Sequence, residues 1–540
     1  MSSTGPRKLP QIWDFPPDQV TPAVSTLLEI CHHQQEQIQQ LRDEIARLKG
    51  QKPKPKIKPS KLESGEKKRR HKRSRRGKQS KTRNLEIHET VIIPPQEVPE
   101  GSRFKGYEDF TVQDIRIELH NTRYRLERWE TSTGERLVGT LPAEVGGVHF
   151  GATLRSFILY QYHHAHVTQP LILEQVREWG IDISAGHLSA IITDDKEGFH
   201  AEKEALLRVG LQQSGYVHVD DTGARHRGRN GYCTHIGNEL FAWFASTQSK
   251  SRINFLELMR AGHEDYVLNE EAKEYMHMHT QKLPKDVLAK LAAHDQKVST
   301  NKEGWAATLG ELGITAERHV RIATEGALLG SVLEHGVDPD LVIISDDAGQ
   351  FNVLRHALCW IHAERAFAKL VGFNDGQREA LAGVRTAIWD LYAELKSYKA
   401  DPDDKKKAEL EARFDKLCTT KTCFVTLNKA LQRMHLNKAE LLLVLERPDI
   451  PLHNNPSEND IREYVKKRKI SGSTRSDEGR RCRDTFASLK KTCRKNGISF
   501  WEYLQDRLRG AGRIPPLATW IFEQASPAKQ TQSALQPAGP

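Results

Sequence analysis

Over residues 214–246 three segments follow one another: GYVHVDDTGA from Gly215, GRNGYCTHIG from Gly228 and NELFAWFAST from Asn238. β-Branched and aromatic residues dominate them, and Gly and Asn punctuate them at hairpin spacing. The pattern predicts three connected strands. A further strand is legible at Leu341-Val342-Ile343-Ile344-Ser345, an apolar run of the kind that is covered on both faces. Between them, residues 252–335 read as mainly helical. After the fourth strand, VLRHALCWIHAERAFAKLVGF (353–373) reads as one helix. Residues 375–445 are helical again, with the charged stretch 403–413 facing solvent, and NNPSEND (454–460) opens another helix. No internal repeat is visible. Strands followed by helices, then a strand flanked by helices, predict an α/β layer fold.

Two of these strands end in carboxylates. Asp220 closes Tyr216–Val219 and precedes Asp221-Thr222-Gly223; Asp346 closes Leu341–Ser345 and precedes Asp347-Ala348-Gly349. The ends of sheet strands are where α/β folds place reactive groups. Each Asp could equally be a turn residue that accepts a backbone N–H. Asp221 and Asp347 are rival candidates, although strand alternation sends Asp221 to the face opposite Asp220.

A third carboxylate, Glu458, lies in Asn454-Asn455-Pro456-Ser457-Glu458. A structural account exists for it too. Asn455 can be the N-cap, Pro456 the first helical residue and Glu458 the third position of a capping box, with Arg462 at the favourable i+4 spacing. Phosphoryl transfer on DNA asks for more than turns and caps. Two divalent ions clamp the attacking and leaving oxygens, and hard carboxylates are their natural ligands. Two strand-end aspartates and a helix-borne glutamate could converge on such a site.

Downstream of Glu458 the chain is basic: Arg462, Lys466, Lys467, Arg468, Lys469, Arg475, Arg480, Arg481 and Arg483. These would hold DNA phosphates beside a metal site, or form a solvated basic surface.

Further outward, residues 150–213 are helical. Within LILEQVREWGIDISAGHLSAIITD (171–194), a helix from Leu171 to Trp179 meets a turn at Gly180, and Ser184 can cap a second helix. That is the layout of a helix-turn-helix and also of an ordinary αα-hairpin. Residues 86–145 read as a small β-rich segment, with VIIPP and YRLERWE as short strands.

The N-terminal part is of another kind. Val24, Leu27, Cys31, Gln34, Ile38, Leu41, Ile45 and Leu48 alternate spacings of three and four, a heptad pattern over residues 20–50. It reads as a coiled coil that joins copies of the chain, with an amphipathic helix packed on its own domain as the alternative. Residues 51–84 hold sixteen Lys or Arg against two Glu, so a chain of net charge +10 carries +14 in this arm. Such a block repels itself and suits a polyanion. Residues 1–19, 51–85 and 525–540 are expected to be disordered.

The 540 residues imply several units. Hydrophobic residues make up 37%, no apolar run approaches a membrane span, and the N-terminus lacks a signal-peptide layout. The seven cysteines (31, 233, 359, 418, 423, 482 and 493) are scattered and read as reduced thiols of a cytoplasmic protein.

The joint pattern points further. Asn454-Asn455-x-x-Glu458-x-x-x-Arg462, then Arg468-Lys469, then Asn496-Gly497 and Tyr503-Leu504 closely resembles the C-terminal end of TnpC-type transposases of the IS66 insertion-sequence family. Cys359-Trp360-x-His362-Ala363-x-Arg365-x-Phe367 is similar to that family's segment after its second Asp, and Val219-Asp220-Asp221-Thr222 to its first-Asp strand. The likeness spans about residues 150–510.

The resemblance implies an RNase H-like catalytic core at 214–510, with helical insertions about 255–335 and 375–445. It implies a DDE triad of Asp220, Asp346 and Glu458 holding two Mg²⁺ or Mn²⁺ ions, and DNA contacts from Arg462, Arg468 and Lys469. Partners would be the element's terminal repeats and target DNA, in the bacterial nucleoid, with accessory proteins of the same element. There are departures. No Cys lies between Cys31 and Cys233, so the family's zinc-binding segment and its zinc are not expected; His453 stands where Asp is usual, and Asp221 where Glu is. They keep two other readings open: a DNA-end-binding or pairing protein without catalysis, and a nuclease without strand transfer.

Overall fold

A computed structural model describes residue 34 and residues 86–533, apart from 143, 144, 146 and 280–282, with side chains up to residue 525. The expected coiled coil at 20–50 lies outside the described residues except for Gln34, which is helical, and so does the basic linker at 51–85. Residues up to His120 form one unit and residues from Asn121 another. In the first, residues 86–120 carry no helix or strand. Among the described residues, the β-rich segment expected at 86–145 reduces to one hairpin, β1 (Arg128–Glu130) and β2 (Arg136–Val138).

Four helices follow: α1 (Ala152–Leu159), α2 (Gln169–Glu178), α3 (Ala185–Thr193) and α4 (Glu197–Gln213). A π-helical turn, Tyr160–His164, extends α1. The turn between α2 and α3 uses Gly180 at φ 82°, and the Ser184 side chain accepts from the His187 N–H at 3.1 Å. A helix, a Gly turn and a second helix thus follow one another, the layout shared by a helix-turn-helix and an αα-hairpin.

The central sheet contains β3 (Tyr216–Gly223), β4 (Tyr232–Gly237), β5 (Ala242–Thr247), β8 (Val342–Ser345) and β9 (Arg355–Leu358), in the order β5-β4-β3-β8-β9. β3, β4 and β5 are antiparallel, while β3, β8 and β9 run parallel. The chain between β5 and β8 holds α5 (Arg252–Met259), α6 (Glu270–Met278), α7 (Lys285–Ala293), α8 (Lys302–Glu311) and α9 (Glu317–Glu334). It also holds a two-stranded ladder, β6 (Tyr266–Val267) with β7 (Val298–Ser299), that helical periodicity did not signal.

After β8 come α10 (Trp360–Ala368), α11 (Asp375–Tyr398), α12 (Asp404–Thr419), α13 (Val425–Leu436), α14 (Lys438–Leu441), α15 (Asn455–Ser471), α16 (Asp477–Lys495), α17 (Phe500–Arg509) and α18 (Leu517–Ser533). Two expectations are corrected here. The single helix expected over 353–373 is split, because Arg355–Leu358 pairs with β8 as an edge strand and the helix starts only after Cys359. The open edge of β8 offers ladder hydrogen bonds that outweigh local helical preference. The tail expected to be disordered from 525 instead continues as helix to Ser533.

The sheet lies between two apolar cores. Val217, Val219, Ile236 and Ile343 face one, with α4, α9 and α16. Val342 and Ile344 face the other, with α11, α12 and α13. Burial on both faces is why Leu341–Ile344 is an unbroken apolar run. Among the described residues no helix is long and apolar enough to cross a membrane.

Candidate active site

The register of the sheet brings the two aspartates together. In the parallel pair, His218 lies opposite Ile344. Carrying that register on by two residues sets Asp220 level with Asp346, on one face of neighbouring strands. Each accepts a backbone N–H just downstream: Asp220 Oδ1 from Asp221 at 2.7 Å and Asp346 Oδ1 from Ala348 at 3.2 Å. Neither is ion-paired among the described residues. Burial pushes the Asp220 carboxyl up to about 7, and the like charges of Asp346, Asp221 and Glu458 add to this against the hydrogen bond from Asp221.

The rival aspartates are engaged elsewhere. Asp221 accepts from Thr234 Oγ1 at 2.5 Å and from Gln350 Nε2 at 3.0 Å. Asp347 is exposed and pairs with Arg433.

Helix α15 carries Glu458 and is pinned to the sheet by polar contacts. Asn454, wholly buried, donates from Nδ2 to the Val219 carbonyl at 2.8 Å, and its Oδ1 lies 3.0 Å from His218 Nδ1. Ser457 and Asp460 meet the buried His235 of β4, at 2.7 Å through Nδ1 and 3.2 Å through Nε2. Arg468 reaches Thr222 Oγ1 at 3.1 Å and the Gly223 carbonyl. Tyr464 donates to Asp484 Oδ1 at 2.8 Å.

The expected cap is thereby corrected. Asn454, not Asn455, occupies the cap position, and its side chain makes no capping bond. Its amide is used by the strand instead. Asn454 N–H donates to the Cys359 thiol at 3.2 Å, which joins the start of α15 to the start of α10. Cys359 therefore packs between the two helix starts.

Glu458 does not form the capping box. Its carboxylate meets Arg365 at 3.1 Å and His362 at 3.5 Å from α10, and Arg462 at 3.5 Å as the i+4 partner. Asp346 and Glu458 both act on the His362 ring as negative charges, so His362 and Arg365 border the site. In the sequence both stand within the family-like segment after Asp346, and nothing local ties either of them to Glu458. Among the described residues no three His, Cys, Asp or Glu side chains stand together in a group that could hold a metal ion. The two aspartates are aligned, while the glutamate is turned to its cationic neighbours.

The basic residues divide by face. Arg462, Lys466 and Lys469 recur at i, i+4 and i+7 and form an exposed stripe on α15 that continues from Glu458; Arg475 is exposed beyond it. Lys467 is corrected. It is 5% exposed, donates to the Tyr162 carbonyl at 2.8 Å and lies over the Tyr162 ring. Burial, with Lys490 and Arg483 nearby, holds its amine down to about 7. Arg483 is also buried, stacked on Tyr464. Arg480 and Arg481 pair with Asp477 and Glu478 on the first turn of α16. On the inner side of α15, Lys490 and Lys491 hold the Glu463 carboxyl down to about 2.

Comparison with known proteins adds to this geometry. Residues 341–481 match the family model described as "Transposase IS66 family", a span that contains Asp346, Arg365 and Glu458 and begins after Asp220. The "Uncharacterized protein y4jO" of Sinorhizobium fredii is 44% identical over 323 residues, which is 59% of this chain and 100% of that relative. By that relationship the chain belongs to the IS66 transposase family.

Proposed function

We propose that this chain is a DNA transposase of the DDE type, which cleaves the ends of its element and joins them to target DNA. One observation carries the reading: the parallel register of β3 and β8, carried past Ser345, puts Asp346 beside Asp220, which feels its charge, and neither has a cationic partner among the described residues. An α/β core built on a mixed five-stranded sheet agrees with the RNase H-like fold that the family resemblance implies.

The donor set fits a hard divalent cation. All three groups are carboxylates, and the Asp220 carboxyl is raised mainly by burial, with the neighbouring negative charges adding to it, a cost that a cation would relieve. Asp220 and Asp346 would hold Mg²⁺ or Mn²⁺, with Glu458 completing the second position. Bound there, the two ions would supply activation of the attacking oxygen and stabilisation of the leaving one. The chain's own part is to fix the aspartates by strand register, hold Glu458 at the mouth of the site and grip phosphates with Arg462, Lys466 and Lys469. The helix-turn-helix of α2 and α3 would read the element's ends, and the heptads at 20–50 would pair two copies so that both ends are held together.

The test is cleavage of a duplex that carries the element's terminal repeats, with Mg²⁺ or Mn²⁺, by wild type and Asp346→Asn. Metal-dependent nicks at the repeat ends, lost in the variant, are expected; identical nicking by both proteins would refute the reading. Joined products separate a transposase from a nuclease. The engagement of Glu458 by Arg365 favours a second reading, a protein that binds and pairs ends without cutting. Tight end binding with no metal-dependent cleavage would support it.

A further inference from the structure

Within the carboxylate trio, Glu458 alone is ion-paired among the described residues. Arg365 faces it with both terminal nitrogens, Nη1 to Oε1 at 3.1 Å and Nη2 to Oε2 at 3.5 Å. Arg365 Nη1 also lies 3.0 Å from His362 Nε2, which is 3.5 Å from the same carboxylate. The pairing is built in by the fold, since the Asn454–Cys359 contact ties the first turns of α15 and α10 together.

Three properties make this contact exchangeable. The Arg365 side chain is 45% exposed while Glu458 is only 14% exposed, so the guanidinium is the partner that an incoming group can reach. A planar guanidinium binds phosphate by the same two-pronged geometry with which it binds carboxylate. The exposed stripe of Arg462, Lys466 and Lys469 runs along α15 towards Glu458, where it would lay a DNA backbone.

We propose that Arg365 is a displaceable latch on Glu458: a DNA phosphate takes the guanidinium, frees the carboxylate to join Asp220 and Asp346, and so couples metal loading to DNA binding. The inference rests on the transposase reading of the same site. In the absence of DNA the latch keeps the third ligand away, which withholds the cutting site until its substrate is seated. Coupling of this kind is reciprocal, so metal also tightens DNA binding.

The experiment follows Mn²⁺ binding by the paramagnetic signal of the free ion, using the full chain with and without a short duplex and subtracting the duplex alone. Wild type, Arg365→Gln, Arg462→Gln and Asp346→Asn are compared. Without DNA, Arg365→Gln is expected to bind Mn²⁺ about tenfold more tightly than wild type, within the usual range for coupled sites. Adding duplex should tighten wild type and add little to the variant. Arg462→Gln removes an equal charge from the same carboxylate but is 69% exposed, and without DNA it is expected to shift Mn²⁺ affinity far less than Arg365→Gln does. If both arginine variants gain equally, the effect is general electrostatics and the latch is refuted. No gain in Arg365→Gln, with Mn²⁺ binding still lost in Asp346→Asn, refutes the latch and leaves the catalytic reading standing. Mn²⁺ binding that is indifferent to Asp346→Asn overturns both. Arg365→Lys, which keeps the charge and loses the fork, replaces the Gln variant if that one does not fold.

Discussion

Asn454 and Val219 are joined by a hydrogen bond of 2.8 Å, from the side-chain amide at the start of one helix to the carbonyl that precedes Asp220. It fixes the helix that carries Glu458 against the strand that carries Asp220. Asn454→Ala would leave the buried Val219 carbonyl and His218 without that partner. A buried polar group left unpaired costs about 1–3 kcal/mol. Lower thermal stability is expected by that amount, with cleavage reduced more than DNA affinity. Equal losses in cleavage and affinity would argue against a positioning role.

Asp220 makes a prediction about pH. Its carboxyl is raised to about 7 in the folded chain from an ordinary value of 3.8. Below 3.8 both folded and unfolded chains hold the proton. Between these values the folded chain keeps a proton that the unfolded chain has released, so stability falls as pH rises through the window. Asp220→Asn lacks this penalty. Measured with chelator, its melting temperature should exceed that of wild type at about pH 8, and the gap should close as pH falls towards 4. A gap independent of pH would show that the carboxyl is not raised.

Lys467 tests the division of the basic residues. Buried and held down to about 7, it is not available to a phosphate. Lys467→Met should leave DNA affinity and its salt dependence unchanged, whereas Lys469→Met should lower the salt slope by roughly one contact. The sign for stability is opposite to that of Asp220. Above about 7 the folded amine is neutral while the unfolded one is still charged, so wild-type stability rises with pH from there to 10.5. The Met variant should therefore gain most below pH 7 and least near pH 10.

Helix α3 exposes Ala185, Gly186 and His187 at its N-terminal end and contains no Lys or Arg. If it enters a groove, these residues touch bases and the affinity is set elsewhere. His187→Glu should weaken binding to the element's terminal repeats far more than binding to unrelated duplex, as a competition assay would read. A uniform loss on both duplexes would make α2 and α3 a plain helical hairpin.

Much of this was legible from the chain alone. Alternation and Gly punctuation marked β3, β4 and β5, and the run Leu341–Ile344 marked β8, because burial of one or both faces leaves its period in the residues. The exchange of Asn454 with Val219 and His218 was not, since nothing local distinguishes an Asn that caps a helix from one that bonds a strand over 200 positions away. β9 escaped for the same reason: Arg355–Leu358 is a strand only because β8 leaves an edge open beside it.

The basic run after Glu458 shows the boundary most clearly. The sequence determined that cations follow the glutamate and that they lie on a helix. Tertiary structure alone decided that Arg462, Lys466 and Lys469 face solvent while Lys467 is buried against Tyr162. It also decided that Arg365, more than ninety positions before Glu458, is the residue that holds it. Periodicity assigns a residue to a face of its own helix; what covers that face is settled by packing between segments distant in the chain.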